Sequence, residues 1–266
     1  MIAQFLEPEE EGSVQRNPTD LAALTRSCKA FHSILNPALY RYNVKFQGSS
    51  AVFTAIDKYG IHGNANATVG TLRACQNAGA DWKTRRLEKV PQIFPFFRGR
   101  FIPDGNDVLE MSPLHLAARN GLDEAVVFLL EHEARIDDWD EREWTPLFVA
   151  IYYGRVSTVK LLIARGACLA PAGFRYNALH LAALSGETGV VNHIANLLDA
   201  NAKDGNGCTP LIYTILSPSD GKYAAIRCLL DHGADPVEPV QRDYGVTTPL
   251  NEAYAVKQRD PLFHLH

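Results

Sequence analysis

The stretch Ser112-Pro113-Leu114-His115-Leu116-Ala117-Ala118 returns as Thr145-Pro146-Leu147-Phe148-Val149-Ala150 and as Asn177-Ala178-Leu179-His180-Leu181-Ala182-Ala183. Shorter copies stand at Thr209-Pro210-Leu211 and Thr248-Pro249-Leu250, so the starts lie 33, 32, 32 and 39 residues apart. The chemistry of each copy is that of a helix start. A Ser, Thr or Asn side-chain oxygen can accept a backbone N–H that the first helical turn leaves unpaired. Proline suits the next position, because the N–H it lacks would have no partner there anyway. The Leu and Ala residues behind it make a thin apolar helix that neighbours can approach closely. Gly121, Gly154 and Gly186 then end that helix, since glycine takes the left-handed terminal conformation without strain.

A second apolar run follows each copy. Val126, Phe128, Leu129 and Leu130 form one, Val159, Leu161, Leu162 and Ile163 the next, and Ile226, Leu229 and Leu230 a later one. Their spacing places most of them on one face of a helix. Arg165-Gly166-Ala167 and His232-Gly233-Ala234-Asp235 close two of these helices, and Asp204-Gly205-Asn206-Gly207 marks a tight turn. One such helix pair cannot bury its apolar face alone, so the pairs must stack.

A period near 33 residues carrying this phrase resembles the ankyrin-repeat family from about Ser50 onward. The resemblance implies an all-α solenoid over residues 47–266, with five to six helix-turn-helix repeats joined by hairpin-like loops. Copies are assigned to 108–143, 144–176, 177–208 and 209–247. A degenerate first copy runs through Ala51-Val52-Phe53-Thr54-Ala55-Ile56 and closes at Gln76-Asn77-Ala78-Gly79-Ala80-Asp81. The last copy begins at Thr248 and has room for part of its second helix before His266. Three departures predict irregular turns: Glu133 in a glycine position, Leu197-Leu198 in place of Gly-Ala, and Ser217-Pro218-Ser219 lengthening one inter-helix loop.

Residues 1–46 carry a different pattern. Asp20-Leu21-Ala22-Ala23-Leu24, Cys28-Lys29-Ala30-Phe31-His32, Ile34-Leu35 and Asn36-Pro37-Ala38-Leu39-Tyr40-Arg41 space their apolar residues helically. Thr19 or Asp20 can cap the start, and Pro37 marks a stop. This segment resembles the second half of an F-box, without the Leu-Pro pair that usually opens the motif. The resemblance implies docking on the adaptor subunit of a cullin–RING ubiquitin ligase, with the repeats selecting the target. Phe5, Leu6, Leu21, Leu24 and Leu39 are then the adaptor-binding candidates. A plainer role is also open: the segment covers the end of the stack, as terminal segments of solenoids do.

Bulk composition narrows the classes. The 266 residues are 46% hydrophobic, which suffices for a core, and the net charge of −4 gives no general pull toward nucleic acid. Five cysteines, with no C-x-x-C pair, suit a reduced intracellular protein of cytoplasm or nucleus. No apolar run approaches membrane-spanning length, and Glu7, Glu9, Glu10 and Glu11 follow the short apolar start too soon for a secretory signal. Neither a membrane partner nor self-association is expected.

The motifs of catalysis are missing. The sequence holds no H-E-x-x-H, no Gly-rich phosphate loop and no G-x-S-x-G, so no enzyme activity, cofactor or metal is expected. His115 and His180 belong to the repeated phrase and are assigned to hydrogen bonds within the scaffold. His132 and His232 recur where a helix C-terminus favours them.

What does not repeat is where a partner would be read. From Lys83 to Phe101, Lys83, Arg85, Arg86, Lys89, Arg98 and Arg100 face one acid, Glu88, and Phe94, Phe96, Phe97 and Phe101 are interleaved. Such a mixture can hold single-stranded nucleic acid. The preferred reading is an insertion, at about 83–107, whose Phe residues pack while its charges stay wet. At the turn tips and first-helix ends, Trp139, Asp140, Arg142, Tyr152, Tyr153, Arg175, Tyr176, Arg242 and Tyr244 are the candidates for protein contact, since aromatic and Arg residues are the usual anchors.

Overall fold

The computed structural model describes residues 37, 39–41, 43–45, 50–61, 65–89, 108–141, 143–171, 175–242 and 245–259. They divide into two compact units. One comprises residues up to 117 with 124–135 and 140–142; the other comprises 118–123, 136–139 and everything from 143 onward.

In the first unit, α1 (Ser50–Ile61) packs on α2 (Ala65–Asn77). Val52, Phe53 and Ile56 from one helix and Leu72 and Cys75 from the other are buried. The degenerate first copy is therefore a built helix pair. Its end is tied by Gly79 N–H to the Gln76 carbonyl (2.9 Å) and Ala80 N–H to the Cys75 carbonyl (3.0 Å), with Gly79 left-handed at φ 83°. The start of α1 is held from outside the repeat. Asn43 donates to the Ser50 hydroxyl (2.7 Å) and accepts from Ala51 N–H (2.9 Å). Residues 37, 39–41 and 43–45 are themselves helical.

One strand near the start of the 83–107 insertion pairs with another just after it. Strands β1 (Arg86–Lys89) and β2 (Val108–Met111) run antiparallel, with Arg86 opposite Met111 and Lys89 opposite Val108. The four Phe residues of the insertion lie outside the described residues. Lys83 and Arg85 are exposed as expected, and Arg86, half-buried, pairs with Asp57 and lies over the Phe53 ring, 4.9 Å from its centroid. Trp82 is buried edge-on to Phe128 at 6.0 Å, and its indole N–H donates to Gln76 (2.8 Å). Helix α3 is Pro113–Asn120 and α4 is Asp123–Glu131. Glu133 takes the left-handed conformation itself, at φ 68°. The turn expected to be irregular keeps the glycine geometry, at a strain of about 1–2 kcal/mol.

The second unit is a regular stack. Its first helices are α5 (Pro146–Tyr152), α7 (Ala178–Ser185), α9 (Pro210–Leu216) and α11 (Pro249–Arg259). Its second helices are α6 (Val156–Ala164), α8 (Thr188–Ala195) and α10 (Lys222–Asp231). Each first helix packs on the next, and each second helix on the next. The caps are those the phrase encodes. Thr145 Oγ1 accepts from Phe148 N–H (3.3 Å), and Asn177 accepts from the N–H groups of Leu179 and His180. Every residue from Ala178 to Leu184 is buried, because α7 has neighbours on both sides. Before α11, β3 (Val240–Arg242) and β4 (Gly245–Thr247) form a second antiparallel hairpin.

The Ser217-Pro218-Ser219 loop is pinned where irregularity was expected. Ser217 is buried, donates its hydroxyl to the Leu184 carbonyl (2.7 Å) and accepts from Ser219 N–H (3.1 Å). Gly221 follows against Gly186, and a side chain there would collide with the Gly186 carbonyl oxygen. The Leu197-Leu198 departure ends α8 without a left-handed residue, and both N–H groups donate to the Ile194 carbonyl.

Candidate protein-binding surface

Residues far apart in sequence meet around α5. The indole N–H of buried Trp144 donates to the Tyr176 hydroxyl (2.8 Å). The Trp144 ring lies 5.3 Å from Tyr152, which meets Tyr153 edge-on at 5.3 Å. Phe148 stacks on Tyr176 at 6.0 Å. Arg119 completes the strip, its guanidinium 5.3 Å from the Tyr153 centroid, and its carbonyl accepts from Arg155 Nε (2.8 Å). Tyr152, Tyr153 and Tyr176 are half-buried. Each is packed among neighbours that fix it and stays partly exposed, the arrangement of a pre-ordered contact surface.

The turn tips are locked from beneath. Asp137 accepts from Cys168 N–H (3.0 Å), and the Arg175 carbonyl accepts from Gly205 N–H (2.6 Å). Asp204 holds its own turn by accepting from the N–H groups of Asn206 (2.8 Å) and Cys208 (2.7 Å) and from the Tyr213 hydroxyl (2.6 Å). Burial, then the bond to Asp204, pushes the Tyr213 phenol well above its usual range. His180 reaches into the next turn, where its Nε2 donates to the Cys208 carbonyl (3.0 Å). Burial lowers its pKa below the usual 6.5, against the opposite pull of that carbonyl and of Asp204. The scaffold role assigned to this histidine is thus visible. His115 Nδ1 lies 2.7 Å from Ser112 Oγ, and His132 and His232 each place Nδ1 2.7 Å from the carbonyl four residues back.

Of the sequence candidates, the structure joins Tyr152, Tyr153 and Tyr176 in one strip. Trp139 is 46% exposed and Arg175 is exposed. Asp140 is a correction: at 5% exposure its carboxylate faces inward and is not offered at a tip. Arg242 ends β3 opposite Gly245. Arg142 and Tyr244 lie outside the described residues, as do Phe5, Leu6, Leu21 and Leu24, while Leu39 is helical and half-buried. Sequence reasoning missed Arg119, whose place beneath Tyr153 depends on stacking. It also missed Tyr223, Val246, Leu250 and Tyr254, all more than half exposed. Among the described residues, no group of three or more His, Cys, Asp or Glu side chains is placed to hold a metal ion, and no helix is long and apolar enough to cross a membrane. Burial raises the Cys75 thiol pKa to about 11, which makes it a poor nucleophile at neutral pH.

Residues 92–172 match the profile of the family described as ankyrin repeats (3 copies). Over that span the chain carries ankyrin repeats. The relatives it resembles carry varied names. "Ankyrin repeat protein nuc-2" of Neurospora crassa is 33% identical over 126 residues, covering 46% of this chain and 11% of that protein. The "Transient receptor potential cation channel subfamily A member 1" of Drosophila melanogaster is 33% identical over 139 residues, covering 48% and 11%. "Putative E3 ubiquitin-protein ligase XBAT31" of Arabidopsis thaliana is 32% identical over 138 residues, covering 46% and 30%. The matches thus span between about a tenth and a third of these relatives. Ankyrin repeats imply a protein-protein interaction module, and the aromatic strip on α5 is a surface suited to that use.

Proposed function

We propose that this protein is a target-binding subunit of a cullin–RING ubiquitin ligase: the ankyrin stack holds a protein target and the N-terminal segment docks on the ligase adaptor. It acts inside the cell and contributes no catalytic residues of its own. The observation that carries the binding role is the strip of half-buried Tyr152, Tyr153, Tyr176 and Arg119 held in place by buried Trp144, since Tyr and Arg are residue types that anchor interfaces. Support for the ligase link comes from the F-box-like pattern from Asp20 to Arg41, and from the Arabidopsis thaliana relative whose name is that of an E3 ubiquitin-protein ligase.

A second reading, an ankyrin scaffold with no ubiquitin link, is favoured by Asn43. Its carboxamide caps α1, which is what a segment that merely covers the end of the stack would do. Co-expression with the ligase adaptor separates the two. The first predicts a complex that survives gel filtration and is lost in Leu21→Asp/Leu24→Asp. If the folded wild-type chain elutes without adaptor, the scaffold reading replaces it.

A further inference from the structure

The aromatic strip does not stop at Tyr153. Arg119, whose guanidinium lies 5.3 Å from the Tyr153 ring centroid, also accepts at its carbonyl from Arg155 Nε (2.8 Å). Arg155 opens onto a groove of about 630 Å³, lined also by Asn120, Gly121, Gly154, Ser157 and Lys160. Gly121 and Gly154 add no side chain to it, and the Arg155 stem packs across Gly121, where a Cβ would stand 3.1 Å from Arg155 Cδ. The Arg155 head group is therefore held in place before any partner arrives. Arg155 and Lys160 are exposed, and among the described residues neither pairs with a carboxylate. Asp123 accepts from the Thr158 hydroxyl (2.5 Å) and Glu187 lies against Gly154, but neither lines the groove. A chain of net charge −4 thus carries a groove with two cations and no acid beside its aromatic surface.

We propose that this groove receives an acidic segment of the protein target, an extended stretch with carboxylates at alternate positions, while the neighbouring tyrosines take its apolar side chains. The proposal rests on the reading that the stack holds a protein target. Spacing selects the occupant. Arg155 and Lys160 are five residues apart, about 7.5 Å along the α6 axis at 1.5 Å per residue. The two cations therefore line the groove and do not close on one small anion. Carboxylates two residues apart on an extended chain are separated by about 6.8 Å, which matches that spacing. Because its Nε is engaged by Arg119, Arg155 would take its carboxylate through the terminal nitrogens of the guanidinium. A basic segment is repelled by both cations, and an apolar one would cover them without supplying a partner.

The test uses the whole 266-residue chain without the ligase adaptor. The probe is a fluorescein-labelled peptide of alternating Glu and Ser, read by fluorescence anisotropy at low salt beside a peptide of alternating Lys and Ser. Saturable binding of the acidic peptide alone is expected, weakening as added salt screens the pairs. Arg155→Gln/Lys160→Gln should weaken it by about three- to tenfold, the scale of two exposed ion pairs. Should that double variant melt early, Lys160→Glu at its exposed position gives the same reading. Lys222→Gln/Arg227→Gln removes the same charge from α10 and should leave binding unchanged. Equal loss in the α10 variant, binding unaffected by the groove substitutions, a basic peptide bound as tightly as the acidic one, or no saturation overturns the proposal. Adaptor co-purification, read on Leu21 and Leu24, is unaffected by any of these results, so failure of the groove and failure of the ligase reading are told apart.

Discussion

His180 shows how one residue serves two neighbouring turns. It lies in the first turn of α7, in a reciprocal cap with Asn177, and its far nitrogen reaches the Cys208 carbonyl 28 residues on. Burial favours the neutral ring, so its pKa in the fold is lower than in the unfolded chain. A lowered histidine pKa contributes stability that is complete above the unfolded value near 6.5 and is lost as pH falls below it. The urea midpoint should therefore fall between about pH 6.5 and 5, with a slope of no more than about 1.4 kcal/mol per pH unit from this one proton. In His180→Gln that slope should flatten. An unchanged slope would mean that other groups set the acid sensitivity. Asp204 is the matching hub on the following turn, where one carboxylate satisfies two N–H groups and a phenol.

Among elements, the tightest joint is where the loop before α10 crosses the end of α7. A Cβ on Gly221 would strike the Gly186 carbonyl, a backbone atom that cannot rotate away. Gly221→Ala should cost about 1–3 kcal/mol by overpacking, measured by urea unfolding. Gly233→Ala is the control: its added Cβ meets nothing within 4 Å, so only its left-handed φ of 82° opposes it, at about 1 kcal/mol. Element starts were legible in the sequence because each rests on chemistry within four residues: helices begin at Pro113, Pro146, Ala178, Pro210 and Pro249, each one residue after the Ser, Thr or Asn that opens a copy. The strand pair at the 83–107 insertion was not legible. Its strands flank a long intervening segment, and no local turn signal joins Arg86 to Met111. Nor was the aromatic strip legible as a unit. Tyr152, Tyr153 and Tyr176 stand out singly, but the bond from Trp144 to Tyr176 spans 32 residues and exists only once the repeats stack. Asp140 failed for the opposite reason: a charged residue in an acidic run reads as solvated, yet this one is buried.

Across the second unit, protection should be graded. Helix α7 has a first helix on each side and seven consecutive buried residues, whereas among the described residues α11 packs chiefly on α9, with Leu250 and Tyr254 exposed. Native-state hydrogen exchange should be slowest in α7 and fastest in α11, because a helix that buries less apolar surface costs less free energy to open. Equal protection in both helices would show that the stack opens as one block. The named bonds between repeats in this unit share a property: they join residues 28 to 36 positions apart, such as Thr158 to Asp123, Ser217 to Leu184 and Asn201 to Gly233. Each therefore bridges a single step of the stack, and none of them staples distant repeats together. Under tension, such a chain has little to shear at once. Force applied at its C-terminal end would peel the layers in turn, each yielding a similar length of slack, so that the stack behaves as a soft spring that reseals when the load is released.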